Sequence, residues 1–185
     1  MFDLEKFIID CRNAVLASDS HLAIKELVSE AVSDRSDLML ALGNPNEGGV
    51  HKLYVSDDLT ILNIVWAPRM TLHPHNHNMW AVIGLYSGRE DNIFWKRAKG
   101  DTLGLIEAAG AKTLGEGEVA PLGKDVVHSV TNPLSRCTGA LHVYGGNFFE
   151  EPRSEWNPED LLEQPYDVER NMELFAEANQ FISAA

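Results

Sequence analysis

The sequence predicts a mainly β protein: one barrel or sandwich of short strands, with helices before and after it. Three observations lead there. Between His51 and Gly146 the chain divides into short segments rich in β-branched and aromatic residues: HKLYVS, LTILNIVW, MWAVIGLYS, DNIFWKRA, TLGLIEAA, VVHSVT and ALHVYGG. Turn signals separate them, among them Asp57-Asp58, Pro68-Arg69, Ser87-Gly88, Lys99-Gly100-Asp101 and Asn132-Pro133-Leu134-Ser135. Closely spaced strands of this kind belong to a closed or two-layered sheet. On either side of this region apolar residues recur at helical spacing instead.

In chain order, residues 3–17 read as a helix. Asp3 is the N-cap, and Leu4, Phe7, Ile8, Cys11 and Val15 form one face. A second helix is expected over about 20–33, opened by Ser20, with Ile24, Leu27, Val28, Ala31 and Val32 on its apolar side. DRSDLMLALGNPNEGG then reads as one further helical turn and a loop dense in Gly, Asn and Pro. Beyond Phe149 the chain turns polar and helical again. Asn157-Pro158 looks like an N-cap followed by Pro at the first helical position, and Asp167 caps a last helix running to about Ile182. The expected division is therefore a helical segment over 1–48 packed on the barrel, the barrel over 49–150, and a helical extension over 151–185. All three belong to one structural domain.

Composition narrows the function classes. The chain has 185 residues, 44% hydrophobic and 23% charged, enough for a single domain with a substantial core. Its net charge of −13 argues against nucleic acid or an anionic membrane as partner, because both attract basic patches. MFDLEKFIID has no basic start and no long apolar run, so no secretory signal is read there, and no stretch reaches the length of a membrane span. Cys11 and Cys137 are isolated, so reduced thiols in a cytoplasmic protein are the expectation.

The chemistry gathers in two stretches. TLHPHNHNMWAVIGLYSG, from Thr71 to Gly88, carries His73, His75 and His77 at alternate positions. In a strand, alternate side chains share a face. Imidazole is the commonest protein ligand for zinc, copper, iron and nickel, but one strand cannot close such a site alone. The second stretch, GEGEVAPLGKDVVHSVTN, reads G-x5-P-x-G-x4-H-x3-N from Gly115 through Pro121, Gly123 and His128 to Asn132. Its Pro and Gly are expected to turn the chain into a new strand that carries His128 inward. Two antiparallel strands would then bring histidines to one metal inside a barrel.

Together these stretches resemble the cupins, and among them the thiol dioxygenases of the cysteine dioxygenase type, over roughly residues 50–149. HNHNMWAVIGLYSG resembles the first cupin motif, with Ala81 and Val82 where many metal cupins carry a glutamate. GEGEVAPLGKDVVHSVTN resembles the second. ALHVYGG is similar to the serine-histidine-tyrosine stretch beside iron in that family, with Ala140 in place of the serine. The implied fold is the double-stranded β-helix, a jelly-roll barrel with N-terminal helices and a C-terminal helical extension.

The resemblance implies that His75, His77 and His128 ligate iron(II), with zinc, manganese or nickel as alternatives. It implies that His142 and Tyr144 form a catalytic pair beside the metal. His73 becomes a supporting residue, a rim residue or a reserve ligand. A cysteine that some members cross-link to the tyrosine is absent, its place falling near Ala81. The carboxylate-binding arginine has no counterpart at Val50–Tyr54, where only His51 and Lys52 stand; Arg89, Arg97 and Arg153 are the substitutes. The implied reaction is oxidation of a small thiol, of the cysteine or 3-mercaptopropionate type, to its sulfinate by dioxygen.

Plainer readings stand beside these. His142 and Tyr144 can be a buried hydrogen-bonded pair serving the core, and Trp80, Phe94 and Trp95 are expected in packing rather than as a substrate platform. Glu90 and Asn92 are expected at a hairpin end, or near substrate if that end is the barrel mouth. Glu150, Glu151, Glu159 and Asp160 read as solvated surface. The competing functions are another metal-dependent cupin enzyme (isomerase, hydrolase or a different oxygenase) and a non-catalytic module holding a metal or small ligand.

Overall fold

A computed structural model describes residues 1–18 and 21–182. Three helices open the chain: α1 (Leu4–Ala17), α2 (Leu22–Ser33) and α3 (Arg35–Leu42). Asp3 caps α1 as expected, its carboxylate accepting from the Lys6 N–H at 3.0 Å. The expected cap of α2, Ser20, lies outside the described residues. α3 is a helix of eight residues rather than a single turn, because Asp34 caps it through the Asp37 N–H at 3.1 Å.

Nine strands follow: β1 (Gly49–Val55), β2 (Thr60–Trp66), β3 (Thr71–Asn76), β4 (Ala81–Ser87), β5 (Arg89–Arg97), β6 (Ile106–Gly115), β7 (Val119–Leu122), β8 (Val127–Thr131) and β9 (Thr138–Tyr144). They form two antiparallel sheets. One runs β1-β2-β9-β4-β7. In the other, β3-β8-β5-β6 is extended past β3 by two short strands, β10 (Ser154–Trp156) and β11 (Glu163–Pro165). Pro121 does not turn the chain but sits inside β7, where the sheet edge asks nothing of its missing N–H. Gly123 supplies the turn that follows.

The first sheet is buried on both faces, which is why β2, β4 and β9 have no exposed position. Alternate residues Leu62, Ile64 and Trp66 point into the barrel, while Ile61, Val82, Leu141 and Val143 pack under the helices with Phe7, Cys11, Ile24, Val28 and Leu38. α2 lies close enough on β4 that a Cβ at Gly84 would collide with Val28 and Val32. Cys11 and Cys137 are both buried free thiols.

The helix expected at Asn157-Pro158 is absent. The Asn157 carboxamide oxygen accepts from the Glu159 N–H at 2.8 Å, and Leu161 takes φ 58°, which ends the turn and sends the chain into β11. The final helix, α4 (Val168–Gln180), is capped by Asp167 as expected, through the Arg170 N–H at 2.9 Å. Its Phe175 stacks on Trp66 with 5.6 Å between centroids, so α4 covers the open end of the barrel. No helix among the described residues is long and apolar enough to cross a membrane.

Candidate metal centre

β3 and β8 pair antiparallel with His75 directly opposite His128. Both point into the barrel and both are buried. The strand is not regular before them: its register shifts between Leu72 and His75, across His73 and Pro74. Pro cannot donate to the ladder, and the resulting bulge takes His73 out of the alternation expected of the three histidines. The side chain of His73 is half-buried and joins no ligand group. Its carbonyl serves instead, accepting from His75 Nδ1 at 2.9 Å. His77 lies just past the end of β3, ahead of Asn78, whose φ of 54° turns the chain toward β4.

His75, His77 and His128 form a group that can hold a metal ion, their nitrogens all within 4.8 Å of one another. The chemistry of the donors fits. His128 donates from Nδ1 to Asn92 Oδ1 at 2.7 Å, and His75 donates from Nδ1 to the His73 carbonyl, so each leaves Nε2 as a lone pair. His77 Nε2 and His128 Nε2 face each other at 3.3 Å. Burial pushes the His75 imidazole down to about 4, and takes His77 and His128 well below the usual value, with neighbouring histidines adding to the effect. All three are neutral at pH 7, the form a metal requires.

His142 and Tyr144 share the inward face of β9, and His142 Nδ1 lies 3.0 Å from the Tyr144 hydroxyl. Burial lowers His142 to about 3 and raises the Tyr144 phenol, so both are uncharged. His142 Nε2 is buried and has no partner among the described residues. Tyr144 packs edge-on to His77 with 5.1 Å between centroids. Ala81 stands directly opposite Tyr144 across β4 and β9, and the side chain of Ala140 is fully buried.

These groups line one cavity of about 340 Å³. Its polar lining is unusual for so acidic a chain: histidines, Tyr144, Tyr166 and Asn171, with Lys52 and Arg153 as cations and, among the described residues, no carboxylate. Arg153 lies against two rings, its guanidinium carbon 3.9 Å from the Phe148 centroid and 4.2 Å from that of Tyr166. Its Nη1 is buried without a partner among the described residues. Of the three substitute arginines, only Arg153 reaches the cavity. Arg89 pairs with Asp91 at 2.8 Å and Arg97 with Glu163 at 2.6 Å. Lys52 lies over Phe149 at the mouth, and His51 lies outside the cavity.

The remaining expectations divide. Glu90 and Asn92 are not at a solvent-facing hairpin end: both are buried on β5, and Asn92 lies beneath His128. Asn132 is buried and braces backbone, donating to the Trp66, Ala67 and Arg136 carbonyls. Trp80, Phe94 and Trp95 pack or hydrogen-bond outside the cavity, and Glu150, Glu151, Glu159 and Asp160 are exposed. Trp66, Phe148, Tyr166, Asn171 and Phe175 were not legible as cavity residues, because most come from segments with no strand signal and reach the site only through the path of the chain after β9.

No family model matches the chain. Among solved structures it is similar to an RmlC-like cupin family protein with a double-stranded beta-helix fold from Methanocaldococcus jannaschii (15% identity, 57% of this chain and 85% of that chain, TM-score 0.46). It is similar to a structure of DMSP lyases (16% identity, 54% and 44%, TM-score 0.40). It is also similar to oxalate decarboxylase from Bacillus subtilis (20% identity, 57% and 27%, TM-score 0.42). The match therefore spans less than half the length of the lyase and decarboxylase chains. What identifies the fold is the strand order itself: β2-β9-β4-β7 against β3-β8-β5-β6 is the two-sheet, eight-stranded arrangement of a jelly roll, the double-stranded β-helix.

Proposed function

We propose that this protein is a mononuclear non-heme iron dioxygenase that oxidises a small thiol bearing a carboxylate to its sulfinate, with His75, His77 and His128 as ligands. The observation that carries the reading is the meeting, in one cavity, of three neutral histidines, the His142–Tyr144 pair and an arginine with an unpaired buried nitrogen. The net reaction is balanced by thiol and dioxygen alone: RSH and O2 give RSO2⁻ and a proton.

His75, His77 and His128 would hold iron(II) without offsetting its charge, and the bound metal would supply thiol acidification and oxygen chemistry. The chain's own residues do the rest. Arg153, fixed by Phe148 and Tyr166, offers a rigid guanidinium to the carboxylate. His142 and Tyr144 offer hydrogen bonds to the reacting end, with His142 Nε2 free to make one. Trp66, Leu72, Val130 and Phe175 form an apolar wall that keeps water from the reacting sulfur. With no carboxylate on the wall among the described residues, none of them pairs an ammonium group there. Among mercapto acids, 3-mercaptopropionate therefore fits the lining better than cysteine.

The test is oxygen consumption by iron(II)-loaded protein of verified iron content, offered cysteine, 3-mercaptopropionate, cysteamine and larger thiols. Uptake with a mercapto acid and a sulfinate product supports the reading; no uptake at full iron occupancy overturns it. The cavity size favours a second reading, a different metal-dependent cupin reaction on a larger acid, since about 340 Å³ is within the range of ordinary small-molecule sites.

A further inference from the structure

One buried acid has no part in that chemistry. Glu90 on β5 is fully buried and makes no ion pair among the described residues. Its Oε2 accepts from Trp66 Nε1 at 2.8 Å and its Oε1 from Asn92 Nδ2 at 2.9 Å. A buried carboxylate without a cation is costly, and packing alone would be served by an apolar side chain of the same size. The other end of Asn92 explains its presence. Asn92 Oδ1 accepts from His128 Nδ1 at 2.7 Å, so three hydrogen bonds run from the indole of the cavity wall to a candidate metal ligand.

Burial raises the Glu90 carboxyl, and its hydrogen bonds from Asn92 and Trp66 oppose this by favouring the charged form. In that ionised form it only accepts, whereas a carboxamide presents a donor at one end and an acceptor at the other. Facing Glu90, Asn92 must offer Nδ2, and it then has only Oδ1 left for His128. A ring that meets an acceptor at Nδ1 carries its proton there and leaves Nε2 bare. We propose that Glu90 is a positioning residue that sets the tautomer of His128: it fixes the orientation of the Asn92 amide, which keeps the imidazole proton on Nδ1 and Nε2 open to a metal. The proposal rests on His128 being a ligand. Without Glu90, the Asn92 amide is free to flip and hold the other tautomer, with its proton where the metal belongs.

The test uses cobalt(II) alone, titrated into the metal-free protein and followed by visible absorption. Glu90→Gln, the same shape with a donor in place of one acceptor, is expected to weaken cobalt binding about 10- to 100-fold. Its chelated form should melt as a single folded species. Adding Asn92→Asp to that variant restores an acceptor-only group beneath His128 and is expected to recover cobalt affinity, which a merely structural role of Glu90 would not do. Unchanged affinity in Glu90→Gln, or a folded double variant that binds no tighter than the single one, overturns the proposal. Should Glu90→Gln not fold, nitrogen NMR of the natural metal-free protein decides: an Nδ1 proton on His128 supports the proposal, and an Nε2 proton overturns it. His128→Ala separates the two readings. If it binds cobalt like the natural protein, the ligand assignment fails; if it loses binding while Glu90→Gln does not, only the tautomer argument fails.

Discussion

His75 and His128 stand directly opposite each other across β3 and β8, their ring centroids 4.7 Å apart, and this single register pairing closes the distance between two motifs far apart in sequence. Neither strand brings the three imidazoles together alone. β3 supplies His75 and delivers His77 from the turn beyond it, and β8 supplies the third imidazole.

The ligand set is testable by stoichiometry. The natural protein should bind one divalent metal ion per chain, and His128→Ala should lose tight binding while keeping its fold. Metal analysis after desalting reads this directly, and stoichiometric iron retained in the variant would refute the set.

Arg153→Met should separate acids from amines. Hydrogen bonds to a charged group contribute about 1.5–3 kcal/mol, so kcat/KM for 3-mercaptopropionate should fall about 10- to 100-fold, mainly through KM. Turnover of cysteamine, which has no carboxylate, should not suffer. Arg153→Lys should recover little, because an ammonium cannot reproduce the planar fork held against Phe148 and Tyr166.

The metal-free protein should weaken in mild acid. Burial lowers His75 to about 4 and His142 to about 3, from an ordinary value of 6.5. Below pH 6.5 the unfolded chain therefore takes up protons that the native chain refuses, and stability falls as pH falls toward 4. Each group adds a slope of about 1.4 kcal/mol per pH unit within that window. Thermal melts of chelated protein from pH 7 to pH 5 check the sign; a midpoint that rises with acidification would contradict it.

One aromatic contact ties α4 to the cavity wall, beside hydrogen bonds from Asn171 to Glu155 and between Asn179 and Gly48. Phe175→Ala removes the ring stacked on Trp66 and should destabilise the protein by about 3–5 kcal/mol, less if α4 detaches alone. Hydrogen exchange should then rise over 168–180 before it rises in β9. Uniform exchange across both would show that α4 does not open separately.

Much of this was legible from residue order alone. Caps at Asp3 and Asp167, the short β segments, the jelly-roll fold and the convergence of His75, His77 and His128 follow from local propensity and periodicity, together with the likeness of two motifs to a known family. Such signals are carried by neighbours in sequence. Where local signals misled, a tertiary or backbone constraint prevailed: Pro74 breaks the alternation that would have placed His73 with the others, and Leu161 turns an expected helix into a strand of the barrel sheet.

The sequence by itself therefore determined the architecture and the imidazoles that meet inside it. Tertiary structure alone decided which cation enters the cavity, what holds His128 in place and what closes the barrel. Arg153 and Glu90 carry no periodic signal and Phe175 only that of its own helix, and each acquires its role from side chains that folding brings beside it: two rings for Arg153, an indole and an amide for Glu90, and Trp66 for Phe175.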